Sequence, residues 1–343
     1  MCRARTRSGP SRTPSASAVA LSAIAAHMAL VPLTVPGAAQ EAPPPVSQEQ
    51  VTTWLEEFSN WGRWGPDDEL GALNFITPEK RRAAAGLVRD GDPVSLARDV
   101  STEASLENGN PLAHEVTWRE GRIGVGLDSY SFSYHGYDFS HLDALPHFSV
   151  DDKLYNGYST ETVRETGAER LGIEVMHDGI FTRGVLMDLP RVLGVDFLEP
   201  GMAVTVEHLQ AWERETGVTI EPGDVLLIRT GRWVKRAQDG PWRAGSLLAG
   251  LHASTLPWLH ARDIAAIGCD GITDAVPSGV EGYNLPVHVT LLVAMGTPLF
   301  DNLDLDALAD EAAARDRWTF LFTAAPVRFP GGLGSPLNPI VIF

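Results

Sequence analysis

Two short apolar runs do most to limit what this chain can become. RGVLMDL (residues 183–189) and GDVLLIRTG (residues 223–231) are rich in Val, Leu and Ile and are bounded by glycine or proline. Such runs read as buried strands. Between them, TVEHLQAWERETG (205–217) has helical spacing and ends at Gly217, a natural C-cap. The same alternation continues. STLPWLHARDIAAIGCD (254–270) reads as a helix leading into a strand, and HVTLLVAMGTPLFDNLDLDALADEAA (288–313) as a helix, a strand and a second helix. The expected fold class is therefore α/β, a mixed β-sheet with at least some parallel strands and flanking helices. Upstream, residues 48–60 of SQEQVTTWLEEFSN read as a helix with Trp54 and Phe58 on one face. Thr77-Pro78 begins another, Thr77 as N-cap and Pro78 at its first position. DPVSLARDV (92–100) reads as a strand. No composition break splits residues 48–343, and 343 residues at 44% hydrophobic content suffice for one large core.

The first 39 residues differ from the rest. Arg3, Arg5, Arg7 and Arg12 precede an Ala-rich apolar run from about Ala18 to Leu33, and Gly37-Ala38-Ala39 offers a small-residue cleavage point. This is the pattern of a secretory signal peptide cut near Ala39, with residues 40–47 as a Pro-rich linker. The expected location is periplasmic or secreted. The run is short and Ala-rich for a span, so no stable membrane insertion is expected. Cleavage takes the formal charge from −17 to −21, because four arginines leave and no acid does. A chain so acidic is a poor partner for nucleic acid. Cys269 then has no second cysteine to pair with; AAIGCDG makes it a buried small hydrophobe before a nucleophile.

Chemistry concentrates in SHLDALPHF (140–148). Three of the ten histidines fall within residues 135–147, namely His135, His141 and His147, and Asp143 lies among them. Tyr130, Phe132 and Tyr134 suggest a strand that breaks at Gly136. On an extended chain His141 and Asp143, two apart, face the same way. His147 follows Pro146, about one turn into the next segment. Imidazole and carboxylate together, without cysteine, suit zinc or manganese; a polar surface segment rich in histidine is the plainer alternative. Competing motifs are missing: there is no G-x-S-x-G elbow, no phosphate loop and no H-E-x-x-H. GRIGVGLDSY begins like a dinucleotide fingerprint but has Ser129 where the last glycine belongs.

SHLDALPHF resembles the signature of the cyclase-type metal-dependent hydrolases (the kynurenine formamidase, isatin hydrolase and trans-dienelactone hydrolase group), H-x-G-T-H-x-D-x-P-x-H. WGRWGPDDELGALNFIT, IFTRGVLMDLP, GDVLLIRTG and LPVHVTLLVAMGTPLFDNLDLDAL agree in order. The resemblance implies His141 and Asp143 as metal ligands and His147 as the proton-transferring histidine. It further implies His288 and Asp301 as completing a second metal site in some members, so that one or two ions are bound. It places the Trp61 and Trp64 segment near a small-molecule substrate and implies a homodimer or tetramer. One position departs from the pattern. The first family histidine falls at Tyr137, and the available one, His135, lies two residues earlier. Either the loop HGYDFS carries an insertion that delivers His135, or the site lacks that ligand. The activity implied is hydrolysis of an amide, formamide, lactam or lactone. The alternative is a degenerate member that binds ligand or metal without turnover.

Several other polar residues invite plainer readings. Asp67, Asp68 and Glu69 suggest a solvated turn, and His177 a loop histidine. His208, His252 and His260 are read on helices, as surface or boundary residues. Asp270 and Asp274 follow a strand end and are read as turn formers before second partners of a ligand histidine. Arg183 is read in an internal ion pair before a role in binding a carboxylate substrate.

Overall fold

The strand–helix alternation is realised in the computed structural model, which describes residues 42–343; the leader and its cleavage point near Ala39 lie outside the described residues. Residues Pro43–Phe343 form one unit built on a nine-stranded sheet. The sheet strands are β1 (Pro93–Ser95), β4 (His141–Asp143), β5 (Ile180–Asp188), β6 (Val225–Arg229), β7 (Ala266–Cys269), β8 (Leu299–Asp301), β9 (Thr319–Ala324), β10 (Gly334–Pro336) and β11 (Ile340–Ile342). Their order across the sheet is β1-β11-β9-β5-β6-β7-β8-β4-β10. A separate hairpin pairs β2 (Ala113–Arg119) with β3 (Val125–Ser131).

β5, β6, β7 and β8 run parallel. β5 and β6 are the strands anticipated from their short apolar runs and β7 and β8 those read next to helices; β6 and β7 are buried almost throughout. β9 pairs antiparallel with β5 and alternates half-buried with buried residues, as a strand with one covered face does. The longer of two helices between β5 and β6 spans Val206–Thr216 and stops at Gly217, whose φ of 69° is the left-handed cap that glycine adopts without strain. Thr77 caps Pro78–Ala85 as read, its hydroxyl accepting from the Lys80 amide at 3.2 Å. DPVSLARDV yields a strand of only three residues. Of the aromatic alternation, only Tyr130 lies in β3, which ends at Ser131 rather than Gly136. GRIGVGLDSY proves to be the turn and second strand of the hairpin.

The helix Pro286–Val289 continues as a π-helical turn, Thr290–Met295, fully buried. Extra residues inserted into a helix in this way often mark a functional site, and this turn begins two residues after His288. Among the described residues no helix is long and apolar enough to cross a membrane.

Candidate metal centre

β4 is where the fold brings the candidate residues together. It lies between β8 and β10, antiparallel to both, with His141 opposite Asp301 and Asp143 opposite Leu299. Leu142 turns into the core with no exposure, so His141 and Asp143 emerge on the other face beside Asp301. Ala144 then leads into a tight turn, Leu145–His147, which swings His147 back over Asp143. His288 enters from the helix after β7.

The distances describe a converging set of donors. Asp143 Oδ1 lies 2.9 Å from His135 Nδ1 and 3.4 Å from His141 Nε2, and Asp143 Oδ2 lies 3.8 Å from His147 Nε2. His288 Nε2 is 3.3 Å from Asp301 Oδ2. Two groups have all their donor atoms within 4.8 Å of one another: His135, Asp143 and His147, and His141, Asp143 and Asp301. Asp143 belongs to both. Ligands of one ion with bonds of roughly 2.0–2.2 Å lie about 3–4 Å apart, so these spacings suit a divalent cation. The orphaned atoms say the same. Both ring nitrogens of His135, Asp143 Oδ1 and Asp301 Oδ1 are buried with no hydrogen-bond partner. The His135–Asp143 approach is close but lacks hydrogen-bond geometry. Buried polar atoms are normally satisfied; four failures on three residues of these two donor groups are explained by a cation that these residues would hold.

Electrostatics fit the same reading. Burial disfavours charge on His141, but the Asp143 carboxylate outweighs it and pushes the imidazole up to about 9. His288, equally buried, is held well above its ordinary value by Asp301 and Asp274. Asp143 is buried too, yet the charge of His141 and the close approach of His135 hold it well below the carboxylate range. His147 is the exception: burial, helped by the other histidines, lowers it and favours the neutral ring.

Ring orientation is fixed from behind for two of the histidines. His141 Nδ1 donates to the Phe139 carbonyl at 2.8 Å, so Nε2 is the nitrogen presented to Asp143. His288 Nδ1 donates to Asp274 Oδ2 at 2.6 Å, which presents Nε2 to Asp301. Asp274 also accepts from the backbone amides of Val287 and His288. Asp274 therefore orients a ligand-type histidine and is no mere turn former. Asp270 instead accepts from the amides of Thr230, Gly231 and Arg232 and anchors the helix Arg232–Asp239.

The other residues singled out have the following surroundings. Trp61 is 40% exposed, and its indole N–H donates to the Val293 carbonyl on the π-helical turn that follows His288. Trp64 packs edge-on against Phe75 under the Arg63 guanidinium. Tyr137 packs with Ala244, Leu248 and Ile272, and it is His135 that approaches Asp143. Asp68 and Glu69 do not form a solvated turn: Asp68 accepts from Leu70, Gly71, Asn74 and Tyr155, and Glu69 from Leu171 and Arg170. His252 is buried, not a surface residue. Arg183 pairs with Asp224 through two nitrogens. Cys269 is buried with its thiol pushed well up by burial, the opposite of an activated nucleophile. Tyr134, not singled out by spacing, lies with its ring 4.4 Å from His135 and donates its hydroxyl to Gly334 O.

Comparison with known proteins adds the family. The family model described as putative cyclase matches residues 73–274. The crystal structure of a novel cyclase superposes with a TM-score of 0.76 at 30% identity, covering 83% of this chain and all of that one. Isatin hydrolase A from Ralstonia solanacearum shares the fold at a TM-score of 0.51 and 23% identity, over 76% of this chain and 93% of that one. Curated protein sequences return no match. The family model spans more than half of the chain and includes His135, His141, Asp143 and His147, and the chain belongs to the putative cyclase family.

Proposed function

We propose that this protein is a metal-dependent hydrolase that cleaves an acyl C–N or C–O bond in a small molecule: an amide, formamide, lactam or lactone. The observation that carries the reading is the set of buried donor atoms without partners, on His135, Asp143 and Asp301, converging within one cluster. His135, His141, Asp143, Asp301 and His288 would hold zinc or manganese, as one ion or two. When bound, such an ion supplies Lewis acidity and lowers the pKa of a water to about 7. His147 serves as the proton carrier. Its ring is buried enough to favour the neutral form, and Nε2 stands 3.8 Å from Asp143, the longest approach of the histidine–carboxylate contacts in the cluster. A neutral imidazole there takes a proton as the acyl carbon is attacked and delivers it to the leaving nitrogen or oxygen. A second reading makes His147 a ligand, since its donor atom falls in the same group as those of His135 and Asp143.

The approach of His135 to Asp143 supports the hydrolase reading over the binding-only alternative, which rests on Tyr137 standing where a histidine is expected. Trp61, tied to the segment that follows His288 and still part-exposed, is the candidate for contact with an aromatic substrate. Trp64 is engaged by Phe75 and Arg63. The fold shared with an isatin hydrolase makes cyclic amides the first substrates to test. The experiment is hydrolysis by zinc- and manganese-loaded protein of a panel of formamides, lactams and lactones, with His147→Ala alongside. Turnover by the wild type, with the variant keeping its metal and losing about 10²–10⁴-fold in kcat, supports hydrolysis with His147 as carrier. Metal loss in the variant makes it a ligand. No turnover on any substrate, with tight ligand binding, sinks the hydrolase reading. Export to the periplasm or medium and assembly as a dimer or tetramer complete the proposal. N-terminal sequencing of the mature chain and light scattering test them.

A further inference from the structure

His135 is held differently from the other two histidines with close carboxylate partners. His141 and His288 are each oriented by a bond from their own Nδ1, to the Phe139 carbonyl and to Asp274. Neither ring nitrogen of His135 makes any hydrogen bond. Its ring lies parallel to that of His147, with centroids 4.2 Å apart and 6° between planes, which restrains tilt but not reach. Its distance from Asp143 therefore depends on the backbone that carries it.

That backbone is clamped at three carbonyls. Asn302 Nδ2 donates to Gly136 O at 2.8 Å and to Phe139 O at 3.2 Å. Arg232 Nη2 donates to Tyr137 O, and Arg232 Nη1 donates to Asn302 Oδ1 at 2.6 Å, which fixes the orientation of the carboxamide. Glu107 Oε1 accepts from Arg232 Nη2 at 2.8 Å and balances the guanidinium charge. Asn302 is 0% exposed and Arg232 2%. Few side chains other than an amide offer two donors and one acceptor on one planar head. Asparagine also tolerates the left-handed backbone found here, φ 56°. The residue follows Asp301 directly, so one turn of chain bears both a donor to the cluster and the clamp.

We propose that Asn302, locked by Arg232, is a positioning residue that holds the Gly136–Phe139 loop so that His135 reaches the metal centre. This rests on the metal-centre reading above. It explains how a histidine displaced by two residues from the family spacing serves the same place.

The test is a double-mutant cycle in cobalt affinity. Asn302→Asp keeps the acceptor for Arg232 but replaces the donor facing Gly136 O and Phe139 O with a repelling oxygen. Asn302→Gly, which fits the positive φ, is the second variant should the first fail to fold; thermal unfolding identifies folded protein. The full chain, stripped of metal, is titrated with Co²⁺ against a chromophoric chelator, and the visible spectrum of the bound ion is recorded. Expected is a 10–100-fold weaker Kd for the Asn302 variant, the range found when groups behind a ligand are lost. Its spectrum should match that of His135→Ala, and the double variant should bind no more weakly than His135→Ala alone. Additive losses, or a variant with wild-type affinity and spectrum, overturn the clamp while leaving the metal centre intact. Wild-type protein that binds no Co²⁺ overturns the metal centre and the clamp with it.

Discussion

Strands β3 and β4 follow one another in the chain, and one is exposed at every residue while the other is buried at every residue. Each region contains a histidine–aspartate pair. In the hairpin, His114 Nε2 lies 3.1 Å from Asp128, with side chains 41% and 62% exposed. Behind the candidate metal centre, His288 and Asp274 meet at 2.6 Å with side chains 2% and 1% exposed. The residue types and contact are the same, but the surroundings differ. In water such a pair is worth little, because solvent screens it and two mobile side chains must be ordered to make it. In the core, removing one partner leaves the other uncompensated. The hairpin pair decorates a surface; the buried pair sets the direction of an imidazole.

That contrast can be broken at graded points. The largest effect belongs to Asp143, which faces three histidines: Asp143→Ala is expected to lose bound metal, read by elemental analysis, and about 3–5 kcal/mol of stability by denaturant unfolding. Metal at the wild-type level would falsify the ligand assignment. Next is Leu142, fully buried between them on the opposite face of the strand. Leu142→Ala is expected to cost about 2–5 kcal/mol, whereas Trp118→Ala in the hairpin, at a side chain 64% exposed, should cost far less. Equal costs would mean that the hairpin is covered in solution. Asp274→Asn keeps the size of the group but weakens its hold on His288; metal affinity should fall by about 10–100-fold with the fold intact by circular dichroism. Asp128→Asn at the exposed pair closes the series, with Tm expected to move by no more than about 2 °C and metal content unchanged.

The parts that were legible in the sequence are those governed by local pattern. Val225–Ile228 could be read as a buried strand because its apolar run is short and ends in glycine, and Thr77-Pro78 as a helix start because cap and first turn are adjacent. His141 and Asp143 were legible because a two-residue spacing on a strand defines one face. His288 and Asp301 had no such spacing and came only from the family resemblance. Asp274 was misjudged because an aspartate after a strand most often serves the nearest amides; here it does that and also reaches the ring of His288, 14 residues on. The clamp was invisible. Glu107, Arg232 and Asn302 lie far apart in the chain and meet only after the sheet has closed. The aromatic alternation points to a strand but not to its end: pairing with β2 stops at Ser131, and Phe132 and Tyr134 lie beyond it.

The pairing of His141 with Asp301 joins neighbours in the sheet that are distant in the chain. A slip of one residue between β4 and β8 would send the side chains of one strand to the opposite face and scatter the donor set. The cluster is thus a check on strand register. Contacts this remote in sequence form slowly, since long loops must close before they are rewarded. A cation that binds only the aligned pair adds RT ln(1 + [L]/Kd) to the stability of that arrangement alone. The ion would then favour the properly aligned chain over its misaligned competitors before any substrate is met.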